Sequence, residues 1–577
     1  MRPGPGAERV PVAFAGRTLF AIQGQSLAAF LASVGVLALR ETATGADRGV
    51  FCGMGVCQDC LVVVDGVPNQ RACMLKITRP VTVARQTATT AAADSHSLPP
   101  VSLDDYRTEC PQILVIGGGA GGLASAVAAR NTSAQVVLLD ERGTLGGQYY
   151  KQMVVGRRGE ALDAQQAEGR ILVEAVARSG TTVVTECEVW GAFSTDGAAA
   201  EILAVEPAGT RRFRPARLIV ATGAYERGLP VPGWTLPGVM TTGAAQTFWR
   251  SYRTLPGRRV LIAGNGPLNI QVACEFAKAG AAVVAVAESA GAPSLGSFRA
   301  LAAMAAADPA LVRAGVGYRA GLARYRVPLL YRHVVTRIVR EGDGLAVTLT
   351  RLDGRVAGRG RCFHADVVCL GYGFQPSNEI LRALGAKHDY DPARGQLVTR
   401  RTADGRTTVP GVYGVGDCCG LGGAKVSVEE GTLAGLAAAR SLGLATPGAA
   451  LAEADARRRL ARARRFERAL WSLFEAPRFE YELADGDTAV CRCEEVSFGQ
   501  IEATLADGAL SIGEVKQRTR AGMGRCQGRY CAPVIAALLA DRQGRRVDEL
   551  AFFAPRAPVK PVAVVDLARL VGPGDQR

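Results

Sequence analysis

The chain alternates apolar strands with helices of small residues. Residues 112–148 (QILVIGGGAGGLASAVAARNTSAQVVLLDERGTLGGQ) run from an apolar strand into a glycine turn, an alanine-rich helix and a second apolar strand, the order of a βαβ unit. The order recurs at 258–289, RRVLIAGNGPLNIQVACEFAKAGAAVVAVAES. Nearer the N-terminus, SLAAFLASVGVLAL predicts a helix over Ser26–Leu39, and LVVVD with RACML predicts a hairpin whose turn is Gly66–Asn69. Toward the other end, residues 496–522 carry apolar positions at helical spacing, and Ser497 stands where an N-cap is needed.

Between these patterns lies punctuation. QTATTAAADSHSLPPVSLDDY, between Arg85 and Arg107, is of low complexity and holds a proline pair, which predicts a linker between separately folded units. With 577 residues the chain is long enough for several domains. The reading divides it into 8–86, a linker at 87–107, a discontinuous unit at 108–255 and 360–446, an inserted unit at 256–359, a basic helical connector at 447–486, a small helical module at 487–545 and a proline-interrupted tail at 546–577. That tail is expected to lie across another surface.

Composition adds little to this and excludes some functions. Hydrophobic residues make up 48% and charged residues 21%, ordinary for globular proteins. The net charge of +15 comes mostly from scattered arginines. Only ARRRLARARRFER (Ala456–Arg468) is dense; with no base-reading motif beside it, it reads as a solvated helix face or a contact to an acidic partner chain, not as a nucleic-acid surface. The start, MRPGPGAERVPVAF, lacks the features of a secretory leader. No apolar run approaches the ~18 residues of a membrane span, and thiols that must stay reduced point to the cytoplasm.

Cysteine spacing changes the picture most. Cys52, Cys57, Cys60 and Cys73 read C-x4-C-x2-C-x12-C, the plant-type ferredoxin spacing for a 2Fe-2S cluster held by four thiolates. Gly53 and Gly55 permit the tight turns that such a loop requires. Zinc also takes four thiolates, but its sites favour paired C-x2-C units and this quartet has one. Cys491, Cys493, Cys526 and Cys531 form a second quartet, C-x-C-x32-C-x4-C. A C-x-C pair in extended chain turns both sulfurs to one face, which suits zinc as well as iron. The segment resembles the helical module of bacterioferritin-associated ferredoxin, and that resemblance implies a second 2Fe-2S centre.

Gly117, Gly119 and Gly122 form a G-x-G-x-x-G turn between strand and helix, with Asp140 and Glu141 after the second strand. Glycines there let the backbone approach a pyrophosphate at the helix N-terminus, and the acid takes the ribose hydroxyls, Asp140 being favoured over Glu141. Two further segments resemble the second and third FAD motifs of flavoproteins with two dinucleotide-binding domains, the class of glutathione and thioredoxin reductases: ATGAYERGLPVPG, with Thr222 and Gly223, and GVYGVGDCCGLGGAK, with Gly416 and Asp417. The resemblance places Asp417 on the ribityl or nearby part of FAD and counts Gly147 and Gln148 with the same site. The second turn has Gly264 and Gly266 but Asn269 in the third position, a substitution expected to tilt or lift its helix. Glu288 suits a ribose diol and repels a 2′-phosphate. NAD, another adenine nucleotide held structurally, and an empty site all stay open.

Absences matter too. No C-x-x-C or C-x4-C pair follows the first turn, and the adjacent Cys418 and Cys419 are poorly suited to replace one, so disulfide reduction is not expected. The four histidines are isolated, and no base for deprotonating an amine is apparent.

Taken together, GGGAGGLASA, LDERGTLGGQYY, ATGAYERGLPVPGWTLPGVMTTGAAQ, GNGPLN, LGYGFQPSNEI, GVYGVGDCCGLGGAK and the second cysteine segment resemble the electron-transfer flavoprotein subunits of bacterial heteromeric amine and imino-acid dehydrogenases. That family includes opine oxidase, hydrogen cyanide synthase, D-hydroxyproline and proline dehydrogenases and, more distantly, the alpha subunit of sarcosine oxidase. The resemblance implies an α/β flavoprotein with two glutathione-reductase-like Rossmann domains, an N-terminal β-grasp ferredoxin-like domain fused in line, and a C-terminal helical 2Fe-2S module. It also implies a D-amino-acid-oxidase-like partner that oxidises a secondary amine, and an external acceptor such as a quinone or a carrier protein. Two rivals are a self-sufficient NADH-dependent reductase and a non-catalytic iron–sulfur carrier or regulatory module.

Overall fold

A computed structural model describes residues 8–87, 108–154, 163–444 and 446–568. The predicted linker, with His96, lies almost wholly outside the described residues. Within them, no helix is long and apolar enough to cross a membrane.

The N-terminal unit is a five-stranded sheet, ordered Arg17–Ile22, Arg9–Phe14, Val81–Arg85, Leu61–Val64, Val67–Arg71, with the helix Leu27–Ser33 packed on it. Ser26 caps that helix by accepting from the Ala29 N–H. The helix is half the predicted length. Gly35, at φ +84°, ends it, and beyond it Val36 and Leu37, half-buried, and Leu39, buried, run as irregular chain leading to the cysteine loop. The hairpin also turns earlier than predicted. Asp65 and Gly66 both have positive φ, the two-residue turn that matches strand twist, and Asn69 lies within the strand Val67–Arg71. Cys73 is therefore past the strand, in the turn that follows it.

Two parallel five-stranded sheets form the body. The first runs Thr182–Val184, Val136–Leu139, Ile113–Ile116, Arg217–Val220, Val412–Gly414, and the second Val239–Thr241, Val367–Gly371, Arg259–Gly264, Ala282–Glu288, Leu329–Tyr331. In the first, the strand Val412–Gly414 comes from far along the chain, so the second sheet is an insertion in it. Each central strand feeds a helix, Ala120–Arg130 or Pro267–Lys278, through a glycine turn. The apolar strands are buried throughout because helices cover the sheets. Two further sheets flank the body: one on Glu188–Phe193, antiparallel except for its parallel edge strand Thr108–Glu109, and an antiparallel one at 333–365.

The units do not pack as separate bodies. The core of the N-terminal sheet is continuous with Ala244, Phe248 and Tyr252 of the helix Thr242–Tyr252. The basic block lies in the helix Ala449–Leu473, and its arginines pair chiefly within the chain: Arg459 with Glu429 at 2.8 Å, Arg464 with Glu430 at 2.6 Å. Helices Phe498–Ala506, Ile512–Thr519 and Ala532–Gln543 make the C-terminal module. Ser497 caps the first of them in a reciprocal capping box with Gln500. The segment after it crosses the body: Val559 is buried and its N–H donates to the Trp190 carbonyl, and Lys560 pairs with Glu141.

Candidate functional site

The first glycine turn is built by close approach. Gly117 has φ +106°, and a Cβ there would stand 2.4 Å from the Ala221 carbonyl; one on Gly122 would stand 1.7 Å from the Gly117 carbonyl. Both positions are closed to any side chain. Gly119 differs: its open face meets only the Gly147 Cα, at 3.8 Å. It is the N-cap of Ala120–Arg130 and offers no side-chain cap, leaving the first N–H groups free for an anion. That uncovered glycine cradle fits a pyrophosphate.

Asp140 and Glu141 separate clearly. Asp140 Oδ2 accepts from the Gly118 N–H at 2.6 Å and Oδ1 from the Arg142 N–H at 2.8 Å. Burial raises its pKa to about 6 against those donors. Glu141 instead pairs with Lys560. Thr222 donates to the Ser377 carbonyl at 2.6 Å, and Gly223 has φ +70° with open space where a Cβ would be. Asp417 Oδ1 accepts from the Gly422 and Gly423 N–H groups at 2.9 and 2.8 Å, at the uncapped N-terminus of Ala424–Arg440. Gly416 donates to Glu430. Gln148, half-buried, follows Gly147 toward Tyr149 and Tyr150.

Two buried ionisable residues that sequence reading missed, Lys151 and Glu226, attract each other. Lys151, 5% exposed, donates from Nζ to Gln246 Oε1 at 3.0 Å, and burial lowers its pKa to about 7. Glu226, also 5% exposed, accepts from the Gly243 N–H at 2.8 Å through Oε2, while Oε1 is buried with no partner. Burial raises its pKa to about 7, with attraction from Lys151 opposing. The only sequence signal was Lys151 at the end of GGQYYK and Glu226 beside Arg227 in TGAYER.

The first cysteine loop abuts the same helix. The Thr241 N–H donates to the Phe51 carbonyl at 2.9 Å, and a Cβ on Gly53 would lie 2.8 Å from the Ala244 Cα. Cys52, Cys57, Cys60 and Cys73 are all buried, and Cys52 Sγ accepts from the Cys57 and Met54 N–H groups at 3.3 and 3.5 Å. In the second quartet, Sγ atoms of Cys491 and Cys493 are 3.8 Å apart and those of Cys493 and Cys526 3.7 Å, with Cys531 against Cys491. These contacts run in series, Cys531 to Cys491 to Cys493 to Cys526; among the described residues no three or more ligating groups close on one ion. Clustered, largely buried cysteines with N–H donors on Cys52, Cys491 and Cys526 fit a dinuclear iron–sulfur centre.

Between the quartets lies one buried cluster that holds Cys52, Cys57 and Cys526 together with Phe51, Trp234 and Tyr530. Phe51 meets Trp234 and Tyr530 edge-on, with centroids 5.5 and 5.4 Å apart. Arg492, between two cysteines of the second quartet, stacks on Phe51 at 3.8 Å and Trp234 at 4.5 Å.

The second turn repeats the acid geometry of the first. Glu288, fully buried, accepts from the Gly266 N–H at 3.0 Å and from Asn265 Nδ2 at 2.8 Å. Asn269 does not stand free to lift its helix: it donates to the Gly371 carbonyl at 2.9 Å and accepts from Thr242 at 2.8 Å, tying the helix to the neighbouring strand's end. A Cβ on Gly264 would lie 2.0 Å from the Gly371 carbonyl. Nearby, Tyr331, Arg332, His333 and Arg351 line a 370 Å³ cavity. Elsewhere, Cys418 and Cys419 are buried, their Sγ atoms 3.8 Å apart, and His388 is a satisfied core residue between the Ala386 carbonyl and Thr399.

Residues 111–434 match the family model described as pyridine nucleotide-disulphide oxidoreductase. Residues 7–88 match a 2Fe-2S iron-sulfur cluster binding domain, and 489–541 a BFD-like [2Fe-2S] binding domain. The chain is 32% identical to an opine oxidase subunit of Agrobacterium tumefaciens (strain Ach5) over 481 residues, covering 82% of this chain and 94% of that one. It is 30% identical to hydrogen cyanide synthase subunit HcnB of Pseudomonas aeruginosa, covering 78% and 96%. The fold is that of L-proline dehydrogenase from P. horikoshii, with a TM-score of 0.71 at 20% identity over 97% of this chain and 98% of that one.

Proposed function

The chain belongs to the pyridine nucleotide-disulphide oxidoreductase family, and from that premise we propose that it is the FAD and iron–sulfur electron-transfer subunit of a heteromeric amine or amino-acid dehydrogenase. The donor is a secondary amine such as an opine, D-hydroxyproline or proline, oxidised on a D-amino-acid-oxidase-like partner. The observation that carries this reading is the single buried cluster joining both cysteine quartets beside the helix that carries Gln246.

Each residue has a task in it. Gly117, Gly119 and Gly122 bring backbone N–H groups to the pyrophosphate, Asp140 takes the ribose, and Thr222, Gly223, Gly416 and Asp417 hold the ribityl side. Cys52, Cys57, Cys60 and Cys73 hold one 2Fe-2S centre, and Cys491, Cys493, Cys526 and Cys531 the other. When bound, FAD supplies two-electron acceptance with one-electron release, matched to centres that carry one electron each. Lys151 Nζ and Glu226 Oε1 can each hold or release a proton near neutral pH in a site closed to water. Gly264 and Gly266 would take NAD or another adenine nucleotide, while Glu288, fully buried, holds the Gly266 and Ala290 N–H groups of the turn.

The test uses the full chain purified without oxygen. It should carry about four iron atoms and four acid-labile sulfides per flavin. NADH alone should leave the flavin yellow, and a secondary amine should bleach it once the partner protein is added. Rapid bleaching by NADH would favour the self-sufficient reductase instead.

A further inference from the structure

A second cavity, of 220 Å³, lies where the C-terminal module, the strand Phe374–Pro376 and the segment 552–559 meet. Its wall on the module side is one residue thick. Gly522 and Gly528, with φ of +81° and +84°, line it, and their backbone N–H groups donate to the sulfurs of Cys491 and Cys526. The ring of Phe553 lies against both: a Cβ on either glycine would stand 2.3 Å from it. Only at glycine can the ring come so close to the sulfur-bearing loop.

The lining has two characters. Tyr225, Phe552 and Phe553 supply aromatic walls, while Lys516, 5.3 Å over the Phe553 ring, and Arg382, which also donates to the Phe553 carbonyl at 3.0 Å and lies 3.8 Å from Glu549, supply donors. The one carboxylate in the wall, Glu379, is taken by Arg529 at 2.8 Å. Met523, 43% exposed, stands at the mouth. The volume is below the ~300 Å³ at which drug-sized pockets begin, which suits one or two fused rings and not a peptide segment.

We propose that this cavity binds the ring of a quinone and is the electron outlet of the chain. The proposal rests on the relay reading above and extends it. The ring's two carbonyl oxygens accept from the cationic donors; two electrons arrive singly from the second cysteine site, having come from the amine, and two protons from water. Each carbonyl becomes a hydroxyl, and the quinol leaves.

Menadione, a naphthoquinone, is the probe. Equilibrium dialysis against the oxidised full chain should give one saturable equivalent, and reoxidation of the dithionite-reduced chain should saturate with menadione in stopped flow. Met523→Trp, which fills the mouth, and Lys516→Met should each weaken binding at least tenfold. Absence of saturable menadione binding by the unaltered chain, or equal binding by both variants, overturns the proposal. Ferricyanide separates the two failures. A chain that ferricyanide reoxidises at flavin and both iron signals, but that menadione does not bind, keeps the relay and loses the outlet; one that ferricyanide cannot reoxidise loses both.

Discussion

Arg492 pairs with Asp59 at 2.9 Å, and both side chains are buried, 3% and 0% exposed. Each stands between or beside cysteines of a different quartet, so one ion pair ties the two loops together. Asp59 also accepts from Arg40 at 3.0 Å, and this makes the pair asymmetric. Arg492→Met leaves Asp59 with a partner, whereas Asp59→Asn leaves a buried guanidinium without its counter-charge, a loss of about 3–5 kcal/mol. Asp59→Asn should therefore lower the melting temperature more than Arg492→Met, and electron paramagnetic resonance should show both iron signals broadened in it. Equal melting temperatures would deny the asymmetry.

Cys57→Ser should remove one of the two iron signals and halve the iron content while flavin stays bound. Cys57 shares its buried cluster with Trp234 and Tyr530, but the strands that carry the first glycine turn lie in two other clusters. The remaining iron signal should shift, because Tyr530 precedes Cys531 and rests on Phe51. Flavin, iron and sulfide assays with spectra of both signals check this; loss of flavin would show that the turn depends on the cysteine loop.

Chemistry written in contiguous residues was legible in the sequence, and chemistry assembled across it was not. The glycine turn and the cap at Ser497 each need only a few neighbouring positions, and each cysteine quartet lies within one short module of the chain. Lys151 and Gln246 meet from 95 positions apart, and Arg492 and Asp59 from 433; nothing local marks either pair. The helix predicted to reach Leu39 shows the other limit. Apolar periodicity continues past Ser33, but Gly35 takes a left-handed conformation and the residues that continue the pattern are not helical, Val34 being exposed and Leu39 buried. Asn269 was legible as a departure, and its outcome was not, because Thr242 and Gly371, which satisfy its amide, come from other elements.

Two glycines of the first turn should respond differently to substitution. Gly119→Val adds its side chain where the nearest atom is 3.8 Å away, so the chain should fold and melt nearly as before but without flavin, the pyrophosphate space being filled. Gly122→Ala puts a methyl 1.7 Å from a carbonyl of the turn, and the strand and helix must part. It should lose soluble protein or several degrees of melting temperature. Flavin retained by Gly119→Val would place the pyrophosphate elsewhere.

The pair Lys151 and Glu226 gives the stability a defined pH dependence. Burial raises the Glu226 pKa from its ordinary 4.5 to about 7, so the folded state holds a proton that the unfolded state has already lost; this contribution is full below pH ~4.5 and is lost as pH rises through about 7. Lys151 works in reverse. Its pKa falls from 10.5 to about 7, so its contribution is full above the unfolded value and is lost as pH falls through about 7. The two slopes meet near neutrality, where the flavin-free chain should be least stable with respect to this pair. Glu226→Gln keeps a neutral acceptor for the Gly243 N–H and removes the acidic-side slope. It should match the unaltered chain at pH 5 and exceed it at pH 8 by up to about 3 kcal/mol, read as a higher melting temperature. A variant that is instead less stable than the unaltered chain at pH 8 would mean that the ionised carboxylate, held by Lys151, is the form the fold prefers.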